Sequence, residues 1–269
     1  IEINGAHRKK LLCSIKEKPK DIEEYHEDVF VTLEPNALTQ SQFYLSNNGY
    51  NGGVLGEDIN VLNVWKENIT GNGVNIAILD DGLFWQNDAL KDKFRMDLSF
   101  HYDKRTNDPS PEKIYSQTHG TACGGVAMSS EKSSCGIGVA PNASSAGIVI
   151  LGINLTIGRW AEALLYKNEE IHIKSNSYGQ GGCQKDGCPF SYLYPTIEKA
   201  INEGIETGRD LRGIIYAFAA GNNGDYGGDV NFYDTTKLPA VITVSSSSYT
   251  GGRIFYSNRG TAITVNAPS

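Results

Sequence analysis

VNIAILDDGLFWQNDAL, residues 74–90, is the stretch on which the reading of this chain turns. Val74, Ile76, Ala77, Ile78 and Leu79 form an apolar run without alternation, the pattern of a strand buried on both faces. Such strands belong to parallel sheets with helices on either side. The run ends in two adjacent carboxylates, Asp80 and Asp81, followed by Gly82. Charge at the tip of a buried strand is costly unless it is paired, solvated or used chemically. Either one carboxylate caps the next helix while the other meets solvent, or the pair marks a site.

Outward from this strand the pattern repeats. Apolar strand candidates recur at 146–151, 171–177, 213–219 and 240–245, and helices are predicted at 119–129, 158–168 and 195–208. The last helix opens on Pro195 and stops at Gly208, which suits start and stop chemistry. Strands alternating with helices of this length predict an α/β fold, a doubly wound and mostly parallel sheet with helices on both faces. In such sheets the active crevice lies beyond the carboxyl ends of the strands. Three polar groups fall there: Asp80 with Asp81, Ser175 to Ser177, and Gly221 to Asn223.

Composition narrows the classes. With 269 residues, 39% hydrophobic and 20% charged, the chain reads as a globular protein with one large core plus an extension. A net charge of −7 argues against nucleic acid as a partner and suits cationic substrates. No apolar stretch approaches the ~18 residues of a membrane span, and the first residues lack a signal-peptide core, so any targeting segment lies outside the chain. Residues 1–33 are dense in Lys, Glu and Asp and read as a charged extension or linker. Within them His7 to Lys10 form a basic cluster, either a surface patch or a site for a processing protease.

Five cysteines leave at least one unpaired within the chain. Cys183 and Cys188 are close enough to close a small disulfide loop, whereas a zinc site would need a second ligand pair that is not evident. Glycosylation sequons occur at Asn68, Asn142 and Asn154 and lean, with the cysteines, toward a secretory or extracellular setting.

Two further segments carry chemistry. In QTHGTACGG, residues 117–125, His119 opens a helix whose small residues let it approach the sheet. An Asp that accepts from one ring nitrogen fixes the tautomer, leaving the other nitrogen as a base toward a hydroxyl; Asp80 is the candidate. In AAGNNG, residues 219–224, Asn222 follows a strand end, where its amide can donate to a developing oxyanion or simply make a turn.

Asp80 in ILDDG, His119 in HGT and Asn222 in AAGNNG, in that order, resemble the subtilisin-type serine proteases. The similarity is closer to the kexin and furin branch, the proprotein convertases, through residues 56–83, 171–179 and 203–224. It spans residues 34–269, a peptidase domain following the extension. The resemblance implies that Asp80 orients His119, that His119 serves as base and then acid, and that Asn222 donates to the oxyanion. It implies that Ser177, Tyr178 and Gly179 pair with an extended polypeptide substrate, with Leu151 and Gly152 on its other side. Asp81 and Asp234 would meet basic substrate side chains. Calcium would be held through Glu34 and Asp229, and a propeptide is a further implied partner.

The match has gaps. The family's nucleophilic serine lies in a helix beyond the equivalent of Ser269, so the chain as given is expected to be inactive alone. Acidic positions of the convertases are Gly152, Asn154 and Trp160 here, and Gly182 stands near an expected Asp. Asn258 and Gly260 replace a Glu and a Cys, which weakens one calcium site, and Ala89 stands where another site has an Asp. Cys135 corresponds to a cysteine paired beyond Ser269, and Cys123 to one left free. Two competing readings are a non-catalytic binding module of the same fold and an aspartate-nucleophile phosphatase. The latter wants a hydroxyl residue where Leu83 stands and leaves HGT unexplained.

Overall fold

The computed structural model describes residues 42–113, 116–130, 133, 136–179, 194–233 and 235–269. The charged extension, Glu34, Asp234 and the cysteines other than Cys123 lie outside these residues. Seven strands form one sheet: β1 (Asn75–Asp80), β2 (Phe100–His101), β3 (Ser144–Val149), β4 (Ile173–Asn176), β5 (Ile215–Ala219), β6 (Ile242–Ser247) and β7 (Val265–Pro268). Their spatial order is β2-β3-β1-β4-β5-β6-β7, with every pairing parallel. Four α-helices accompany them: α1 (Val61–Lys66), α2 (His119–Met128), α3 (Ile157–Leu165) and α4 (Pro195–Leu211). The doubly wound arrangement expected from the sequence is the one observed. Strand order reverses at β1, so a crevice opens at its tip.

The two faces of β1 feed two cores, as its unbroken apolar run requires. Ile76 and Ile78 meet Leu83, Leu90 and Met128 on the side covered by α2. Ala77 and Leu79 join Leu164 of α3, Ile197 and Ile201 of α4, and Tyr216 and Phe218 of β5 on the other. Helix α4 leaves helical geometry at Gly208, and Arg209 and Asp210 take positive φ, so the glycine stop read in the sequence is where the regular helix ends.

Lys174, in the middle of β4, is wholly buried. Its ammonium donates to the carbonyls of Leu164 at 2.6 Å, Tyr166 at 2.8 Å and Ala163 at 3.4 Å. The Tyr216 hydroxyl donates to the same Leu164 carbonyl at 2.6 Å. These carbonyls lie at the end of α3, where Ala163 also accepts from the Tyr166 amide at 3.3 Å, and the negative end of the helix dipole suits a cation. Burial pushes the Lys174 ammonium well below the ordinary lysine value.

Beyond β4 the α2 side of the sheet changes character. Strand register continues the Ile76 and Ile173 face onto Ile215, Ala217 and Ala219, then Ile242 and Val244, then Val265 and Ala267. Ile215, Ile242 and Val265 are 42%, 38% and 48% exposed. No described element covers this apolar strip. On the surface elsewhere, sequon residues Asn68 and Asn154 are exposed, whereas the Asn142 amide is engaged with Thr70 and Lys93.

Candidate active site

Asp80 closes β1 on the α2 face and is 1% exposed. Helix α2 begins directly above it, because Gly120 has no side chain to hold the helix away. His119 Nδ1 donates to the Asp80 carboxylate, 2.9 Å from each oxygen. Asp80 Oδ1 also accepts from the Asp81 amide at 2.8 Å, which fixes the carboxylate's orientation. The Asp80 carboxylate, with Cys123 Sγ at 3.9 Å, pushes His119 up to about 10 against the opposing effect of burial. The ring is half-exposed, and Nε2 on its outer edge has no partner among the described residues. A buried carboxylate, a fixed ring orientation and an open outer nitrogen make a general base in the deprotonated form of the ring, which the raised value places on the alkaline side.

Asp81 turns the other way. Its carboxylate accepts from the Gly120 amide at 2.8 Å and the His119 amide at 3.3 Å, the first two amides of α2. Thr118, at the N-cap, makes no side-chain cap bond, so Asp81 supplies the cap from the neighbouring strand tip. Burial pushes the Asp81 carboxyl above the usual range, and the Gly120 amide pulls it back. The two carboxylates of the opening segment therefore divide the two tasks weighed for them: Asp80 meets the imidazole and Asp81 holds the helix that carries it.

The strands flanking β1 are β3 and β4, so the segments that leave them rise on either side of Asp80. Leu151 and Ile153 follow β3 and rest half-buried on the main core, with exposed Gly152 between them at φ 70°. Ser177, Tyr178 and Gly179 follow β4; the Tyr178 hydroxyl donates to Asn176 Oδ1 at 2.8 Å and accepts from Trp160 Nε1 at 2.9 Å. Burial raises the Tyr178 hydroxyl well above its ordinary value, so this tie stays protonated. Trp160 thus braces the segment that follows β4 through the Tyr178 hydroxyl. Nearby Arg159 is paired with Asp103 at 2.7 Å.

Asn222 lies on the loop beyond β5, at the same end of the sheet, and is exposed. Its side chain makes no hydrogen bond with Asp80 or His119 among the described residues. Asp229 Oδ1 accepts from the Asn231 amide at 2.8 Å and caps a short turn. The one group of three metal-ligating side chains among the described residues is Asp80, His119 and Cys123, so none surrounds Asp229.

Residues 71–269 match the sequence profile of the subtilase family, peptidase S8. The chain belongs to that family. Protease KEX1 of Kluyveromyces lactis is 36% identical over 228 residues, which make up 85% of this chain and 29% of that protein. Kexin of Saccharomyces cerevisiae is 37% identical over 210 residues, 78% of this chain and 25% of that protein. This subtilase chain thus spans well under half the length of these relatives. Among solved structures, the serine protease of Aeromonas sobria superposes with a TM-score of 0.75 at 22% identity, covering 94% of this chain and 46% of that one. A cold-adapted subtilisin-like serine proteinase gives 0.58 at 21% identity, with 75% and 64% covered. The subtilase sheet is therefore seen in both. No helix among the described residues is long and apolar enough to cross a membrane.

Sequence reasoning passed over residues that support this subtilase site. Lys174 lies inside a strand candidate with no signal of its buried tie, and Asn176, read as one of the polar groups at the strand end, gave no sign that it would accept from Tyr178. Asn258 registered only as a missing Glu. Its contacts join segments 35 residues apart, which no local motif encodes.

Proposed function

We propose that the protein is a serine endopeptidase that cleaves polypeptides by acyl transfer to water, acting in proprotein processing within the secretory pathway or outside the cell. The Asp80–His119 pair carries this reading. Asp80 holds the His119 tautomer and stabilises the imidazolium; His119 Nε2 takes the proton of an attacking serine hydroxyl and returns it to the leaving amine. Asn222 donates to the tetrahedral oxyanion. The attacking serine would sit over the open sheet face beside α2, on the side of Asp80 and His119. The substrate lies extended between Leu151–Ile153 and Ser177–Gly179 as an added strand. Asp81 and Asp234 favour basic side chains, whereas Gly152, Asn154 and Trp160 relax that preference relative to the convertases. A propeptide that docks in the same crevice is the expected internal partner.

The test is fluorophosphonate labelling of the full-length protein, paired with cleavage of peptides bearing single or paired basic residues. Labelling that His119→Ala abolishes supports the assignment. Absence of labelling, or labelling that His119→Ala leaves intact, overturns it in favour of a binding module.

A further inference from the structure

We propose that Asn258 is the positioning residue for Asn222, and that its neutral carboxamide holds the loop where a calcium-ligating carboxylate is expected from the convertase resemblance. The proposal rests on the protease reading for the role of Asn222, and on geometry alone for the clamp. Asn258 is 1% exposed and lies between β6 and β7. Its Nδ2 donates to the Ala220 carbonyl at 2.7 Å, its Oδ1 accepts from the Asn223 amide at 2.8 Å, and its own amide donates to the Gly221 carbonyl at 3.1 Å. Those three bonds grip residues 220, 221 and 223, on both sides of Asn222, which stays exposed. Gly221 has φ 98°, and a Cβ there would lie 2.6 Å from Asn258 Nδ2. A side chain at Gly221 would therefore collide with the carboxamide.

The chemistry of the two partners selects an amide. The Ala220 carbonyl needs a donor, and the Asn223 amide needs an acceptor. One carboxamide supplies both; a carboxylate in its place would set oxygen against oxygen at 2.7 Å unless a cation intervened. No second His, Cys, Asp or Glu among the described residues joins Asp229, whose Oδ1 already accepts from the Asn231 amide. The loop that aims Asn222 is thus fixed by a buried, fully partnered amide.

Hydrogen exchange by NMR on the 269-residue chain tests the clamp. In the wild type the Asn223 amide should be protected, equally in calcium and in a calcium chelator. Asn258→Ala and Asn258→Asp should each speed exchange at Asn223 and Gly224 by ~10-fold or more, with amides of β1 unchanged as the control for folding. Unchanged exchange at Asn223 in both variants, or calcium-induced protection in the wild type, overturns the clamp. In the full-length protein, Asn258→Ala should lower kcat with KM held, and should add nothing once Asn222→Ala is present. Additive losses would reduce Asn258 to a merely structural residue. A full-length protein without peptidase activity would sink the protease reading, and the exchange result would still decide the clamp.

Discussion

Gly120 rests directly on Asp80: a Cβ at Gly120 would come within 2.7 Å of the Asp80 Cβ and would also strike the Gly82 carbonyl. The first turn of α2 is therefore seated on the tip of β1 at backbone distance, and this seating delivers the His119 ring to a carboxylate that is otherwise buried.

Gly120→Ala should lift that turn. We expect a loss of ~1–3 kcal/mol from overpacking, read by denaturant unfolding. The His119 titration should fall toward the ordinary histidine value in the same variant. A variant with both properties unchanged would show that the helix can shift without disturbing the pair.

The pH dependence follows from the raised His119 value. An unfolded histidine titrates near 6.5, whereas the folded one is pushed up to about 10 by the Asp80 carboxylate. Stability from the pair is thus complete below about 6.5 and is lost as pH rises through the folded value. Asp80→Asn should lower the His119 titration, followed by NMR. The stability gap between wild type and variant should be widest in mildly acidic solution and narrow toward alkaline pH. A gap that widens with pH would contradict the pairing.

Asp81 makes a different prediction from its neighbour. Asp81→Ala removes the cap on α2 and should cost ~0.5–2 kcal/mol in thermal or denaturant unfolding. Asp81→Asn keeps an acceptor oxygen and should cost less. Equal costs for both variants would point to lost charge, and not lost hydrogen bonding, as the source.

Lys174→Met leaves the carbonyls at the end of α3 short of donors and should destabilise the protein by ~1–3 kcal/mol. Combining it with Tyr216→Phe should give a non-additive loss, because both side chains donate to the Leu164 carbonyl. Strict additivity in a double-mutant cycle would mean that the two ties act independently.

The α/β architecture was legible because β1 is apolar on both faces and the Pro195–Gly208 segment carries its own start and stop. Strands β2 and β7 and helix α1 were not foreseen: β2 has two residues, and β7 and α1 lie in stretches whose polar content hides any period. Asp80 and His119 could be read as partners from the ordered motifs. That Asp81 is the carboxylate that caps the helix could not, since its two donors, the His119 and Gly120 amides, lie 38 and 39 residues away in sequence. Asn258 illustrates the same limit more sharply: its meaning resides in three backbone groups of a distant loop, and a residue type alone carries no record of what it faces.

The uncovered strip over β5 to β7 has a practical consequence for handling the 269-residue chain. Among the described residues nothing lies over this ribbon of isoleucine and valine, and nothing in it repels a like surface. As concentration rises, colloidal behaviour should declare itself before chemistry does, as light scattering and dye binding that fade when Ile215, Ile242 and Val265 are made polar.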